Sequence, residues 1–191
     1  MRQIFRIART ELAVLFYSPI AWFLLVCFAV QCGINLQNIL DQIVAFKTMG
    51  KAITFSVTNG IVIGNFGIFE RIQSTIYLYI PLLTMGLLSR EISSGSIKLL
   101  LSSPISARQT VLGKYLAMAA LSAIMTGILG LCTGVMVFGV PSWDAGTVLT
   151  GLLGIFLVLC TYSAIGLFMS SLTSYQVVAA VSTFAIFAFL D

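Results

Sequence analysis

Long uncharged apolar runs, separated by short polar and basic segments, set the pattern of this chain. No charge falls between Glu11 and Asp41, and none within residues 72–89, 115–143 or 145–190. A helix needs about 20 residues to cross the hydrocarbon core of a bilayer. The first three runs therefore predict one span each, the first over residues 19–40, and the last is long enough for two. Its one polar break runs from Ser170 to Gln176, the natural place for a turn. The pattern predicts an all-α membrane protein with five visible spans. The fifth, over residues 177–190, reaches about 21 Å of a roughly 30 Å core at about 1.5 Å rise per residue. A bundle ending there reads as part of a longer polypeptide.

Residues 52–70 are uncharged until Glu70, yet carry Asn59, Asn65 and the glycines Gly60, Gly64 and Gly67. If this segment crossed the membrane, Arg90, Lys98, Arg108 and Lys114 would lie opposite the basic N-terminus, against the positive-inside rule. Held outside, it leaves those four with Arg2, Arg6 and Arg9 in the cytoplasm, and only Lys47, Lys51 and Arg71 outside. The second topology is the expectation, with the N-terminus cytoplasmic. The opening residues are not a signal peptide, since no small-residue cleavage site follows their long apolar run. At helical spacing Ile4, Phe5, Ala8, Leu12, Leu15 and Phe16 share a face, with Arg2, Arg6 and Arg9 at its edge and beyond. Residues 1–17 thus predict an amphipathic helix lying at the membrane interface, its arginines reaching toward anionic headgroups. Ser18-Pro19 then breaks the helix so that the chain turns into the first span.

Composition narrows the function classes. With 59% hydrophobic and 8% charged residues, the chain is no soluble domain. A net charge of +4 fits basic cytoplasmic loops and needs no nucleic acid. Histidine is absent, which removes the commonest general base and metal ligand. Cys27, Cys32, Cys132 and Cys160 each sit in an apolar run without C-x-x-C spacing, as packing residues do. No G-x-x-x-x-G-K-[ST] loop is present to hold ATP, and no paired carboxylates share an apolar helix. In the first span Gln31, Asn35 and Gln37 suit either a transport pathway or hydrogen bonds between helices. Gly130-x-x-x-Gly134 permits close helix approach.

Between the second and third spans, a short apolar piece, Ile97 to Leu101, stands between Ser93-Ser94-Gly95-Ser96 and Ser102-Ser103-Pro104. It is too short to span and too apolar to stay in water uncovered. Fully exposed, Ile97, Leu100 and Leu101 would each forfeit roughly 1.5–3 kcal/mol. Gly95 allows a tight turn into it, and Pro104 stops it. Two readings are open from these residues: a turn lying on the membrane, and a knob that docks on a cytoplasmic subunit. Arg90 and Glu91 stand at the base of the second span, where polar contacts could hold the loop.

The run Pro81-Leu82-Leu83-Thr84-Met85, then Arg90-Glu91, Ser94-Gly95-Ser96-Ile97, Leu99-Leu100, Ser103-Pro104-Ile105-Ser106 and Val111-Leu112-Gly113-Lys114-Tyr115 resembles the permease subunits of type-2 ABC exporters. It is most similar to the branch with gliding-motility-associated and nitrous-oxide-reductase-maturation permeases. Ala8-Arg9-Thr10-Glu11-Leu12, Ser18-Pro19-Ile20-Ala21 and the stretch from Ala164 to Thr173 match the same family's opening and end. The resemblance implies an ABC-2 type transmembrane domain over residues 1–191, with an elbow helix at 1–17 and six spans, the last lacking here. It further implies a coupling helix at 93–104 that seats on a separate cassette ATPase through Arg90, Glu91, Gly95, Ile97, Leu100, Leu101 and Pro104. Lys98 departs from the family, which usually carries a glutamate or similar charge there.

The function expected is an ATP-driven exporter permease in a bacterial cytoplasmic membrane. It would pair with a second permease chain, same or related, as well as with lipids and the ATPase, and would bind no nucleic acid. Catalytic, cofactor and metal residues are expected to be none, ATP being bound by the partner, and Asn35 and Gln31 are the pathway candidates. An alternative keeps the coupling helix but not the pathway, as a membrane module passing the partner's work elsewhere. A lipid enzyme fits worst, for want of polar residues. The substrate cannot be read from these residues.

Overall fold

The computed structural model describes residues 2–48, 68–96, 106–137 and 145–190. Among these the chain is helical: α1 Arg2–Tyr17, α2 Pro19–Thr48, α3 Ile68–Thr84, α4 Ser89–Ser93, α5 Ala107–Val137, α6 Ala145–Leu172 and α7 Gln176–Leu190. Helices are what long apolar runs must form in lipid, where each backbone N–H and C=O has to be satisfied within its own segment. Four stretches are long and apolar enough to cross a membrane: Pro19–Gln42, Arg71–Ser93, Ala107–Val135 and Ala145–Leu172, with the shorter apolar Gln176–Phe189 after them. The protein is an all-α, multi-pass membrane protein. The expected break in the last run falls between α6 and α7 at residues 173–175, later than Ser170, which is helical and buried. Residues 52–67 of the ambiguous segment lie outside the described residues.

Exposure follows the solvent. Phe23, Val26, Val30, Leu131, Leu153, Leu157, Val181 and Phe189 point outward, as bilayer-facing side chains should. Inside sit small hydroxyls: Thr133 donates to the Leu129 carbonyl at 3.0 Å, Ser163 to Leu159 at 2.7 Å, and Thr183 to Ala179 at 2.7 Å. Back-bonding of this kind lets a small polar side chain sit in an apolar interior without an orphaned group.

The residues divide into two compact units. One holds 23–75 and 123–157. Within it Gln31 donates to Thr75 Oγ1 at 2.7 Å, joining α2 to α3, and the Phe69 ring of α3 lies against Gly151 of α6. Of the two glycines expected to permit close approach, a Cβ on Gly130 would be 3.5 Å from Leu152, an ordinary contact, and one on Gly134 would meet nothing within 4 Å. The pair thus makes no tight seam among the described residues.

The other unit holds 1–22, 76–122 and 158–191. Ser18 separates α1 from α2, and Pro19 opens α2, where its missing N–H costs nothing. Trp22 in the first turn of α2 donates its indole N–H to the Phe16 carbonyl at 2.9 Å, and the two rings meet edge to face at 5.5 Å. The partly covered face of α1 comprises Ile4, Ile7, Ala8, Glu11, Leu12, Leu15 and Phe16, whereas Phe5 is 77% exposed. Five of the six residues expected on one face are thus partly covered, and the face is widened toward Ile7 and Glu11 at the expense of Phe5. The end of α3 is interrupted: Pro81 removes a donor, residues 85–88 form turns, and α4 restarts the helix. Ser170 of α6 repairs the gap by accepting from the Leu88 and Ser89 N–H groups at 3.1 and 3.2 Å and donating to the Met85 carbonyl at 3.0 Å. One turn earlier on α6, Gly166 faces Thr84 so closely that a Cβ would collide with its hydroxyl. Aromatic pairs hold α7 in the same unit, Tyr162 with Phe187 at 4.3 Å and Tyr77 with Phe184 at 6.0 Å.

Ser170→Ala leaves the Leu88 and Ser89 N–H groups without this acceptor and should cost about 1–3 kcal/mol. Thermal melting in detergent should show a clear drop for Ser170→Ala and almost none for Ser171→Ala, whose exposed hydroxyl bonds only within its own helix. Equal shifts in the two variants would mean that the break is held by packing alone.

Candidate functional site

The site is built where α1, α4 and α5 meet, and a glycine makes the meeting close. A Cβ on Gly113 would stand 2.6 Å from Ile7 Cγ2 and 3.3 Å from the Ile4 carbonyl oxygen. Only a residue without a side chain lets α1 lie so near α5. The next residue, Lys114, then reaches Glu11, one turn along α1 from Ile7. Lys114 Nζ donates to Glu11 Oε1 and to Glu91 Oε1, each at 2.7 Å. The lysine side chain is 2% accessible and each glutamate 21%. Three charges from three helices thus share one buried cluster, and the pairs are charge-assisted and short.

Taking a lysine out of water costs several kcal/mol, which these two carboxylates offset through low-dielectric attraction and hydrogen bonds. The cluster keeps one excess negative charge. Its surplus acceptor is Glu91 Oε2, which is buried and has no hydrogen-bond partner among the described residues.

This cluster brackets the loop between the second and third spans. Glu91 lies in α4, just before the loop, and Lys114 in the second turn of α5, just after it. Lys114 was expected as a loop charge ahead of a span starting near 115; instead α5 begins at Ala107, because the polar residues Arg108, Gln109 and Thr110 extend the helix beyond the apolar run. Ser106 caps that start, with its backbone carbonyl and hydroxyl both accepting from the Gln109 N–H.

The sequence-derived candidates divide accordingly. Arg90 is exposed on α4, with its guanidinium stem lying over Gly86, whose Cβ would be 3.0 Å from Arg90 Nε. Glu91 is in the ion cluster. Gly95 has φ of +72° and ends α4, donating to the Ile92 carbonyl at 3.2 Å; a left-handed residue after a helix is the position where glycine is least strained. Ile97, Leu100, Leu101 and Pro104 lie outside the described residues. Gln31 and Asn35 belong to the other unit, where Gln31 is engaged with Thr75 and Asn35 is half-buried on α2. Sequence reasoning missed Glu11, Gly113, Lys114 and Ser170 as partners. A signal was present for two of them, since Glu11 falls at the helical spacing of Ile4 and Ile7, and Lys114 adjoins a long apolar run with no neighbouring charge.

Chemically the cluster has nothing that cleaves or transfers: a lysine held by two carboxylates is a structural cation. Among the described residues, no three His, Cys, Asp or Glu side chains converge on a metal position. The profile of the ABC-2 family transporter proteins matches residues 5–191. No curated protein and no solved structure matches the chain.

Lys114→Met leaves two carboxylates facing each other and should destabilise the fold by about 3–5 kcal/mol. Neutralising all three positions together, as Glu11→Gln, Glu91→Gln and Lys114→Met, should recover most of that loss because no uncompensated charge remains. Detergent melting curves of the single and triple variants decide it; a Lys114→Met protein as stable as the parent would show that the cluster bears no load.

Proposed function

The chain belongs to the ABC-2 family of transporter proteins, and from that premise we propose that it is an exporter permease driven by a separate cassette ATPase docked on the 93–104 loop. A permease of this family is a transport component rather than a catalyst, so hydrolysis falls to the partner. The observation that carries the proposal is the Lys114 cluster. Closure of the ATPase on ATP would push the loop, whose two ends are joined by the Glu91–Lys114 pair. They would move as one piece, and α4 and α5 would carry the motion into the spans. Glu11 adds α1, so the interfacial elbow would shift with them. Gly95 and Pro104 delimit the docking helix, with Ile97, Leu100 and Leu101 as its apolar contacts and Arg90 as an exposed charge beside it.

The rest of the reading follows from the family and the charge pattern: a bacterial cytoplasmic membrane, the N-terminus inside, and a second permease chain completing the pathway. α2 is the candidate seam, because it carries Asn35 and, on its outward face, Gly33 with nothing among the described residues within 4 Å of a Cβ. The similarity to gliding-motility and nitrous-oxide-reductase-maturation permeases supports a second reading, a mechanotransmitting module without a substrate path. Gln31 favours it, since its hydrogen bond to Thr75 engages one of the two pathway candidates. ATP turnover that responds to no exported compound would select this second reading.

Leu100→Asp should release the ATPase while the bundle inserts and melts normally, as read by co-purification in detergent. A variant that keeps full ATPase binding and coupled turnover would reduce the loop to a turn on the lipid. In a background with the four native cysteines replaced by alanine, labelling of intact cells from outside should mark Ser142→Cys and spare Ser94→Cys. The reverse pattern would overturn the topology.

A further inference from the structure

The fold changes what α1 offers to the membrane. Much of its apolar side is engaged by the protein: Ile7 and the Ile4 carbonyl lie against Gly113, Glu11 meets Lys114, and Phe16 meets Trp22. What stays free is the opposite side, where Arg2, Arg6 and Arg9 are all exposed. At helical spacing the three fall within an arc of about 60°, along about 10 Å of the axis. The helix has one carboxylate, Glu11, which lies on the far side and is spent on Lys114. No ion pair is made by any of the three arginines among the described residues. Two aromatic side chains share this free side, Phe5 at 77% and Tyr17 at 89% exposure. Phe5 stands one turn from both Arg2 and Arg9, at the i, i+3 and i, i+4 spacings where helix side chains are neighbours.

A cationic face turned to water has no use for exposed aromatic rings. Guanidinium groups among such rings suit the headgroup layer, where arginine meets phosphate with a planar fork and amphipathic rings settle at the interface. We propose that this side of α1 is a binding surface for anionic phospholipid, with phosphates on Arg2, Arg6 and Arg9 and the rings of Phe5 and Tyr17 among the headgroups. Phosphatidylglycerol is the simplest lipid of that kind. Phosphatidylcholine brings the same phosphate, but its quaternary ammonium cancels the charge and sets a cation near a cationic stripe. An acidic protein surface would match the arginines and leave both rings unanswered. Lipid held there fixes α1 from one side, while Glu11 ties it to Lys114 from the other. The inference needs the membrane fold and not the ATPase; a Leu100→Asp chain that has lost its partner should keep the lipid.

The test offers the delipidated full chain, in detergent, equal amounts of phosphatidylglycerol and phosphatidylcholine with identical acyl chains, and native mass spectrometry counts what stays bound. Three basic residues at roughly fivefold each near an anionic surface allow about a hundredfold at most, and phosphatidylglycerol should be retained at least about tenfold over phosphatidylcholine. Equal retention overturns the proposal without any variant. Arg2→Gln, Arg6→Gln and Arg9→Gln together, all at exposed positions, should remove most of the preference. Lysine at the same three positions should restore part of it, since it keeps the charge without the planar fork. Lys47→Gln, Lys51→Gln and Arg71→Gln together remove equal charge from the side expected to lie outside and should leave the preference as in the parent. An equal loss there would make it an effect of net charge and overturn the assignment to α1. A triple glutamine variant of α1 that keeps the lipid but no longer co-purifies with the ATPase would make the stripe a protein-docking surface, and the proposal would fail.

Discussion

A lysine with 2% of its side chain accessible cannot be left alone in a membrane protein's interior, and that constraint organises one unit of this molecule. Its charge must be met by carboxylates at hydrogen-bonding distance, and the two that meet it come from α1 and α4. Their approach in turn requires α1 to lie against α5 with almost no gap, which Gly113 permits. Remove the lysine and two like charges remain; remove the glycine and the carboxylate on α1 cannot arrive. Buried ion clusters often contribute little net stability against a well-packed apolar alternative. What they supply is a defined register among the helices that hold them, and here those helices bracket the proposed docking loop.

A second constraint acts at the end of α3. Pro81 and the turns at 85–88 leave backbone groups without helical partners, in a place where water is scarce. Ser170 answers with one donated and two accepted hydrogen bonds, and Gly166 lets α6 come near enough for that. The interruption is thus a supported feature. It divides the second span's apolar run into two helical pieces, and the piece nearer the loop is the one that carries Glu91. The interruption is tied by hydrogen bonds to α6, and α4 by its ion pair to α5.

Much of this was legible in the chain itself. Uncharged runs and the needs of a backbone in lipid dictate helices, and the break between α6 and α7 follows from a cluster of polar residues in an otherwise apolar run. Ser18-Pro19 and the left-handed Gly95 were readable because proline and glycine impose local geometry wherever they stand. The resemblance to ABC-2 permeases was carried most specifically by the loop motif from Arg90 to Ser106, with Pro81–Met85, Val111–Tyr115, Ala8–Leu12, Ser18–Ala21 and Ala164–Thr173 around it. In the fold these pieces supply Glu11, Glu91, Lys114 with its glycine, and Ser170 with Gly166.

The sequence alone determined what each segment is, since hydropathy, proline, glycine and charge act locally and need no partner. Only the tertiary structure decided which charges meet, because Glu11 and Lys114 stand 103 residues apart and nothing local ties them. It also decided the edge of the covered face of α1, which takes in Ile7 and Glu11 and leaves out Phe5. Helical spacing sets Glu11 in line with Ile4 and Ile7, but a charge is expected on that side only once the buried lysine that meets it is known. For the same reason Ser170 read as part of a turn: a hydroxyl in an apolar run looks like an interruption until the broken helix end that it completes is brought beside it.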